Sequence, residues 1–137
     1  MSVFVDTSAF LAVLDADDEV HGRAKAIWEE LIAGGRLLVC SSYVLVETFA
    51  VAQRRLGMNA ARAFHEDVCP LLRVRWVDAK LHSGAVAAML GADRRRLSLV
   101  DCVSFEVMRE MEIAEAFCFD RHFWEAGFTD AATTEQG

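Results

Sequence analysis

Short apolar runs alternate along this chain with longer stretches of helical period, the pattern of a buried parallel sheet whose strands are joined by helices. Val3-Phe4-Val5 closes a first strand at residues 2–5. A helix from Ser8 to Leu14 follows, then an acidic loop from Asp15 to Glu19, then a second helix from Val20 to Ala33 that Gly34 and Gly35 can stop. Leu37 to Cys40 reads as the second strand. Ser41 or Ser42 can cap a helix running to Leu56, where Gly57 ends it, and a further helical segment starts at Asn59 and reaches Cys69-Pro70. Arg73 to Val77 alternates as an edge strand. Asp78 can cap a helix to Leu90 that Gly91 stops; the loop Ala92 to Leu97 follows, and Ser98 opens a helix to Met111. Ala116 to Phe119 is the fourth strand. Asp130 to Gly137 lacks an apolar pattern, so the chain is expected to be one α/β domain over 1–130 with a mobile tail over 131–137.

Composition bounds the problem without naming a chemistry. At 137 residues, 54% hydrophobic and with one proline, the chain can bury a core of its own and is not disordered. The net charge of -7 argues against a nucleic-acid partner only weakly, because divalent metal can neutralise carboxylates and the 14 basic residues can be clustered. Cys40, Cys69, Cys102 and Cys118 form no C-x-x-C pair, which fits a reducing compartment, and Cys40 and Cys118 end apolar runs as core residues do. The absence of a leader or a bilayer-length apolar stretch gives the expectation of a soluble, cytoplasmic protein with no membrane association.

The chemistry lies in four acids. Asp6 and Asp120 end the first and fourth apolar runs, and Glu47 and Asp101 lie within helical patterns. Ligands of open α/β sheets bind beyond the carboxyl ends of the strands, so acids placed there read as a site. Each also has a structural reading. Asp6 and Asp120 can cap the segments that follow them, and Ser98 with Asp101 has capping-box spacing. Glu47 is harder to explain that way, since its helical neighbours Tyr43, Val44, Ala50 and Val51 are apolar and an unpaired charge among them is costly.

Other candidates are weaker. The run from Asp15 lacks the glycine and the glutamate that a calcium loop needs, having Val20 and Ala26 there. His21, His65, His82 and His122 form no close ligand pair, although His122 lies near the proposed site. Nucleotide-binding and serine-hydrolase motifs are absent. Arg94, Arg95 and Arg96, before the Asp101 helix, and Arg121, after Asp120, can contact phosphates, while Arg54 and Arg55 read as solvent-facing.

Four segments carry a resemblance: Phe4-Val5-Asp6-Thr7-Ser8-Ala9-Phe10, Val44-Leu45-Val46-Glu47-Thr48, Leu97 to Phe105 around Asp101, and Phe119-Asp120-Arg121-His122-Phe123. Together they resemble PIN domains, particularly VapC-like toxins of toxin–antitoxin pairs. The resemblance implies a three-layer α/β/α fold with a short central parallel sheet flanked by helices. It also implies a Mg²⁺- or Mn²⁺-dependent ribonuclease whose catalytic and metal-binding acids are Asp6, Glu47, Asp101 and Asp120. Asp6 and Asp101 are expected to be the main ligands, with Thr7 or Ser8 adding a hydroxyl. Hard oxygen donors suit those ions, and no histidine base is required. The expected partners are an RNA substrate, an antitoxin and a second copy of the chain. The dimer is read from apolar residues such as Phe49, Val51, Leu56, Phe64, Val68, Leu71 and Leu72. A housekeeping PIN nuclease without antitoxin and a non-catalytic RNA-binding module are the alternatives.

Overall fold

The computed structural model describes residues 1–132 of the chain. Its strands are β1 (Ser2–Val5), β2 (Leu37–Ser41), β3 (Leu72–Arg75), β4 (Glu115–Phe117) and β5 (Thr129–Asp130). The α-helices are α1 (Thr7–Leu14), α2 (His21–Ala33), α3 (Ser42–Arg55), α4 (Met58–Ala63), α5 (Ala79–Ala92), α6 (Leu99–Glu110) and α7 (His122–Glu125). The strands form one parallel sheet in the order β3-β2-β1-β4-β5, flanked by helices as the α/β reading requires. β1 pairs with β2 on one side and β4 on the other, with Phe4 opposite Val39 and Ala116. Chain order therefore reverses between β1 and β4, and the crevice beyond their carboxyl ends is where such sheets bind ligands.

The hydrophobic pattern explains how the layers close. Val3, Phe4 and Val5 are all fully buried, as a central strand covered on both faces should be. α2 turns Ala24, Ile27, Trp28 and Leu31 inward at helical spacing. Phe10 packs edge-on between Trp28 and Phe64, while Phe123 joins Phe4, Phe105 and Phe128 on the β4 side. Cys40, Cys102 and Cys118 are buried and form no disulfide, and burial pushes the Cys40 thiol up to about 12, so it packs as a neutral side chain. No helix among the described residues is long and apolar enough to cross a membrane.

Several boundaries differ from the sequence reading for visible reasons. β3 begins at Leu72 and stops at Arg75, because the Val77 N–H donates to Ser42 Oγ instead of to the ladder. Ser41, not Ser42, caps α3 by accepting from the Val44 N–H. After α4 the helix widens into a π-turn, Phe64–Val68, and tightens into a 3-10 turn, Cys69–Leu71. Gly91 does not stop α5; Asp93 does, in the left-handed conformation with φ of 51°. β4 ends two residues early because the Phe119 N–H donates to Ser8 Oγ, which turns the chain toward the crevice. β5 has only two residues, too few for any period to show. Asp130 belongs to it and Ala131 is buried, with its N–H on the Ala116 carbonyl, so the expected tail is anchored at its start. The rest of that expectation, 133–137, lies outside the described residues.

Apolar residues that suggested a dimer surface are mostly used inside the domain. Phe64 and Val68 are buried, and Phe49 and Leu72 pack against the core. Only Leu71 of that set stays exposed; the other large exposed apolar side chains include Val46, Trp76 and Leu90.

Candidate active site

A crevice of about 370 Å³ lies past the carboxyl ends of β1 and β4, and Asp6, Glu47, Asp101 and Asp120 all line it. Each reaches it by a different local route. Asp6 is the residue between β1 and α1, and it caps the helix: Oδ2 accepts from the Ser8 N–H at 3.1 Å and from the Ser8 hydroxyl at 2.8 Å. Glu47 projects from the middle of α3. Asp101 sits at the third position of α6 in a full capping box, donating its N–H to Ser98 Oγ and accepting the Ser98 N–H on Oδ2. Asp120 follows the turn after β4, and its Oδ1 accepts from the His122 N–H at 2.9 Å. The capping readings of Asp6 and Asp101 are thus correct and do not compete with the site reading. A capping carboxylate has lone pairs left over, and the cap fixes its direction.

Burial and neighbouring charge disfavour the ionised forms of Asp6 and Asp101. Asp6 is only 5% exposed, and burial pushes its carboxyl up to about 6, with the charges of Asp101 and Glu47 adding to the rise against the Ser8 hydrogen bonds. Asp101 is also raised by burial, with Asp120 adding to it, while Ser98 and His122 pull the other way. No basic side chain forms a salt bridge with Asp6, Glu47 or Asp101 among the described residues except His122, whose Nδ1 lies 3.5 Å from Asp101 and 3.2 Å from Asp120. Clustered carboxylates presenting hard oxygens fit Mg²⁺ or Mn²⁺, and a bound dication would relieve both the burial cost and the repulsion.

The neighbouring residues sort differently from the sequence reading. The Thr7 hydroxyl donates to the Val44 carbonyl and accepts from Thr48, which ties α1 to α3. Ser8 Oγ links Asp6 to the Phe119 backbone and so couples the β1 and β4 ends of the site. Arg96 lines the acid crevice, whereas Arg94 turns away to pair with Glu125 at 2.9 Å, and Arg121 lies 3.7 Å from the same glutamate. Arg95 is exposed on the loop between them. Arg54 and Arg55, expected to face solvent, are exposed but stand at the crevice wall. Their position past Glu47 was a usable signal: residues seven and eight further along a helix return to the same face. The same crevice adjoins an apolar groove of about 350 Å³ lined by Leu11, Val51, Leu56 and Phe119 and sharing Ser8 and Arg55 with it.

Comparison with known proteins agrees with this arrangement. Residues 3–128 match the family described as PIN domain. The 23S rRNA-specific endonuclease VapC20 of Mycobacterium tuberculosis is 37% identical over 129 residues, a stretch covering 93% of this chain and 96% of that protein. The crystal structure of that organism's VapC20, described as a sarcin-ricin loop cleaving toxin, superimposes with a TM-score of 0.82 at 36% identity and covers 93% of this chain and 97% of its own. The order of the strands, the placement of the four acids and these matches lead to one assignment: the chain belongs to the PIN domain family.

Proposed function

We propose that this protein is a divalent-metal-dependent endoribonuclease, the toxin of a type II toxin–antitoxin pair, acting in the cytoplasm as a homodimer. The observation that carries the reading is the convergence of four carboxylates from four separate segments on one crevice at the sheet's switch point. Asp6 and Asp101 are the principal metal ligands, and Glu47 and Asp120 complete the shell directly or through water. When bound, Mg²⁺ or Mn²⁺ supplies a hydroxide from its water and stabilises charge on the phosphodiester. The chain's own part is to aim and desolvate: Ser8 and Ser98 hold Asp6 and Asp101 in fixed directions, so the carboxylates need no reorganisation on binding. Arg54, Arg55 and Arg96, exposed around the acids, are placed to hold the phosphates on either side of the cut.

The likeness to VapC20 supports RNA as the substrate and the sarcin-ricin loop of 23S rRNA as the first RNA to try. An antitoxin segment that lays an apolar side on the Leu11–Phe119 groove and brings a basic side chain to the acids would compete with metal. Exposed Leu71, Val46, Trp76 and Leu90 are among the apolar side chains available to a second copy. Incubating the purified chain with Mn²⁺ and a sarcin-ricin stem-loop, beside unrelated structured RNAs, tests the substrate. One defined cut in the stem-loop is expected; intact RNA of every kind at high enzyme concentration would leave a non-catalytic binding module as the better account.

A further inference from the structure

His122 opens α7 directly behind two of the acids. Its side chain is 14% exposed, and Nδ1 comes within 3.2 Å of Asp120 Oδ1 and 3.5 Å of Asp101 Oδ2. Even so, that nitrogen makes no hydrogen bond and is the one buried side-chain polar atom without a partner among the described residues. An imidazolium serving as a counter-ion would aim its Nδ1–H at one of the two carboxylates. Here the nitrogen is close to both carboxylates, yet hydrogen-bond geometry is met with neither.

The three groups lie close enough together to share one ion. Asp120 Oδ1 accepts the His122 N–H and Asp101 Oδ2 accepts the Ser98 N–H, and each oxygen keeps a lone pair beyond those bonds. Oδ of Asp101, Oδ of Asp120 and a ring nitrogen of His122 lie within 4.8 Å of one another. Two ligands at right angles on an ion with bonds of about 2.1 Å are separated by about 3 Å. The observed separations from Nδ1 need to close by only tenths of an ångström. His122 also lines a second cavity, with Arg94 and Glu125, so it reaches the pair from beside the four-acid crevice.

Building on the metal reading above, we propose that His122 supplies a nitrogen ligand to a cation held by Asp101 and Asp120, and that this nitrogen makes the protein prefer Mn²⁺ to Mg²⁺. Mg²⁺ gives up its water reluctantly and favours oxygen, whereas a first-row transition ion accepts imidazole readily. The same bond fixes the turn between β4 and α7, so His122 positions Asp120 as well as contributing to the shell.

Mn²⁺ is its own probe. Electron spin-echo modulation of the Mn²⁺-loaded wild-type protein should show coupling to a ¹⁴N nucleus, which is absent in His122→Phe, a variant that keeps a ring of similar shape. Calorimetric titration of the same two proteins should show Mn²⁺ binding weakened by about tenfold or more in the variant, with Mg²⁺ binding changed far less. Melting the metal-free proteins separates this from a folding defect, and if the variant does not fold, the wild-type spectrum decides alone. Mn²⁺ bound without nitrogen coupling overturns the His122 assignment while leaving the four-acid metal site standing. No Mn²⁺ binding at all overturns both.

Discussion

Asp6 and Asp78 do the same local job at two strand-to-helix junctions and end in opposite electrostatic states. Each follows a strand, adopts an extended backbone and accepts backbone N–H groups of the helix it caps, Asp6 from Ser8 and Asp78 from Leu81 at 2.8 Å. Around Asp78 the chain places Arg75, which also pairs with Glu110 at 2.8 Å, and the Leu81 bond and that arginine hold the Asp78 carboxyl below its usual range. Around Asp6 it places Glu47 and Asp101 and, among the described residues, no arginine within salt-bridge distance, and burial drives the carboxyl up to about 6. One junction is finished by its own side chains. The other leaves a buried carboxylate beside two further acids, which is what the proposed metal site would use.

The sharpest way to break the comparison is to neutralise both. Asp6→Asn should lower RNA cleavage by at least about 100-fold, the loss of some 3 kcal/mol of transition-state stabilisation, while the fold is retained. Asp78→Asn should cleave like wild type. Equal rates for the two variants would erase the distinction.

Stability against pH should diverge next. With a folded value of about 6 and an unfolded one of 3.8, Asp6 holds its proton in the folded state where the unfolded chain has lost it. Metal-free stability therefore falls as pH rises from about 4 to about 6 and is level above that, by up to roughly 3 kcal/mol for this group. Chemical denaturation across that window should show the fall in wild type and a flatter profile in Asp6→Asn. Asp78 has the opposite sign, because its lowered carboxyl adds stability that is lost in acid. A wild-type profile rising from pH 4 to 6 in the absence of metal would contradict the burial account.

Smaller again is the effect of Ser8, which holds Asp6 and the Phe119 N–H together. Ser8→Ala strands that N–H and one carboxylate bond, so a loss of about 1–3 kcal/mol in stability is expected by denaturant titration. Cleavage should fall less than in Asp6→Asn, since the carboxylate itself survives.

The arginines give the finest contrast. Replacing Arg54, Arg55 or Arg96 by Ala should reduce the slope of log binding constant against log salt by about 0.7 each for single-stranded contacts. Arg94→Ala should leave the slope unchanged, because that side chain is already paired with Glu125. A changed slope for Arg94 alone would reverse the assignment of the loop.

The sequence carried the strand–helix alternation and all four acids, because apolar runs and their end residues are local signals. Asp6 read as a site acid because it ends a buried apolar run, while Asp78, after an edge strand, read only as a cap; the sheet order, which puts β1 beside β4 and brings Asp120 to Asp6, was not legible. Of the loop arginines, Arg96 lines the crevice, whereas Arg94 looked free until α7 brought Glu125 to it; Arg54 and Arg55, read as solvent-facing, are exposed and also stand at the crevice wall. His122 was noticed near Asp120, but its second neighbour, Asp101, comes from another helix, and no spacing rule links the two. The end of β4 at Phe117 is likewise tertiary, set by the bond from the Phe119 N–H to a hydroxyl 111 residues earlier in the chain.

Dependence of the acid crevice on its cation is tested most directly by the cleavage rate of a sarcin-ricin stem-loop measured against Mg²⁺ or Mn²⁺ concentration. The account predicts a rate at background in excess chelator that rises to a plateau as metal is restored, in the wild-type protein and not in Asp6→Asn. A stem-loop cut equally fast by wild type with chelator and with metal would contradict it.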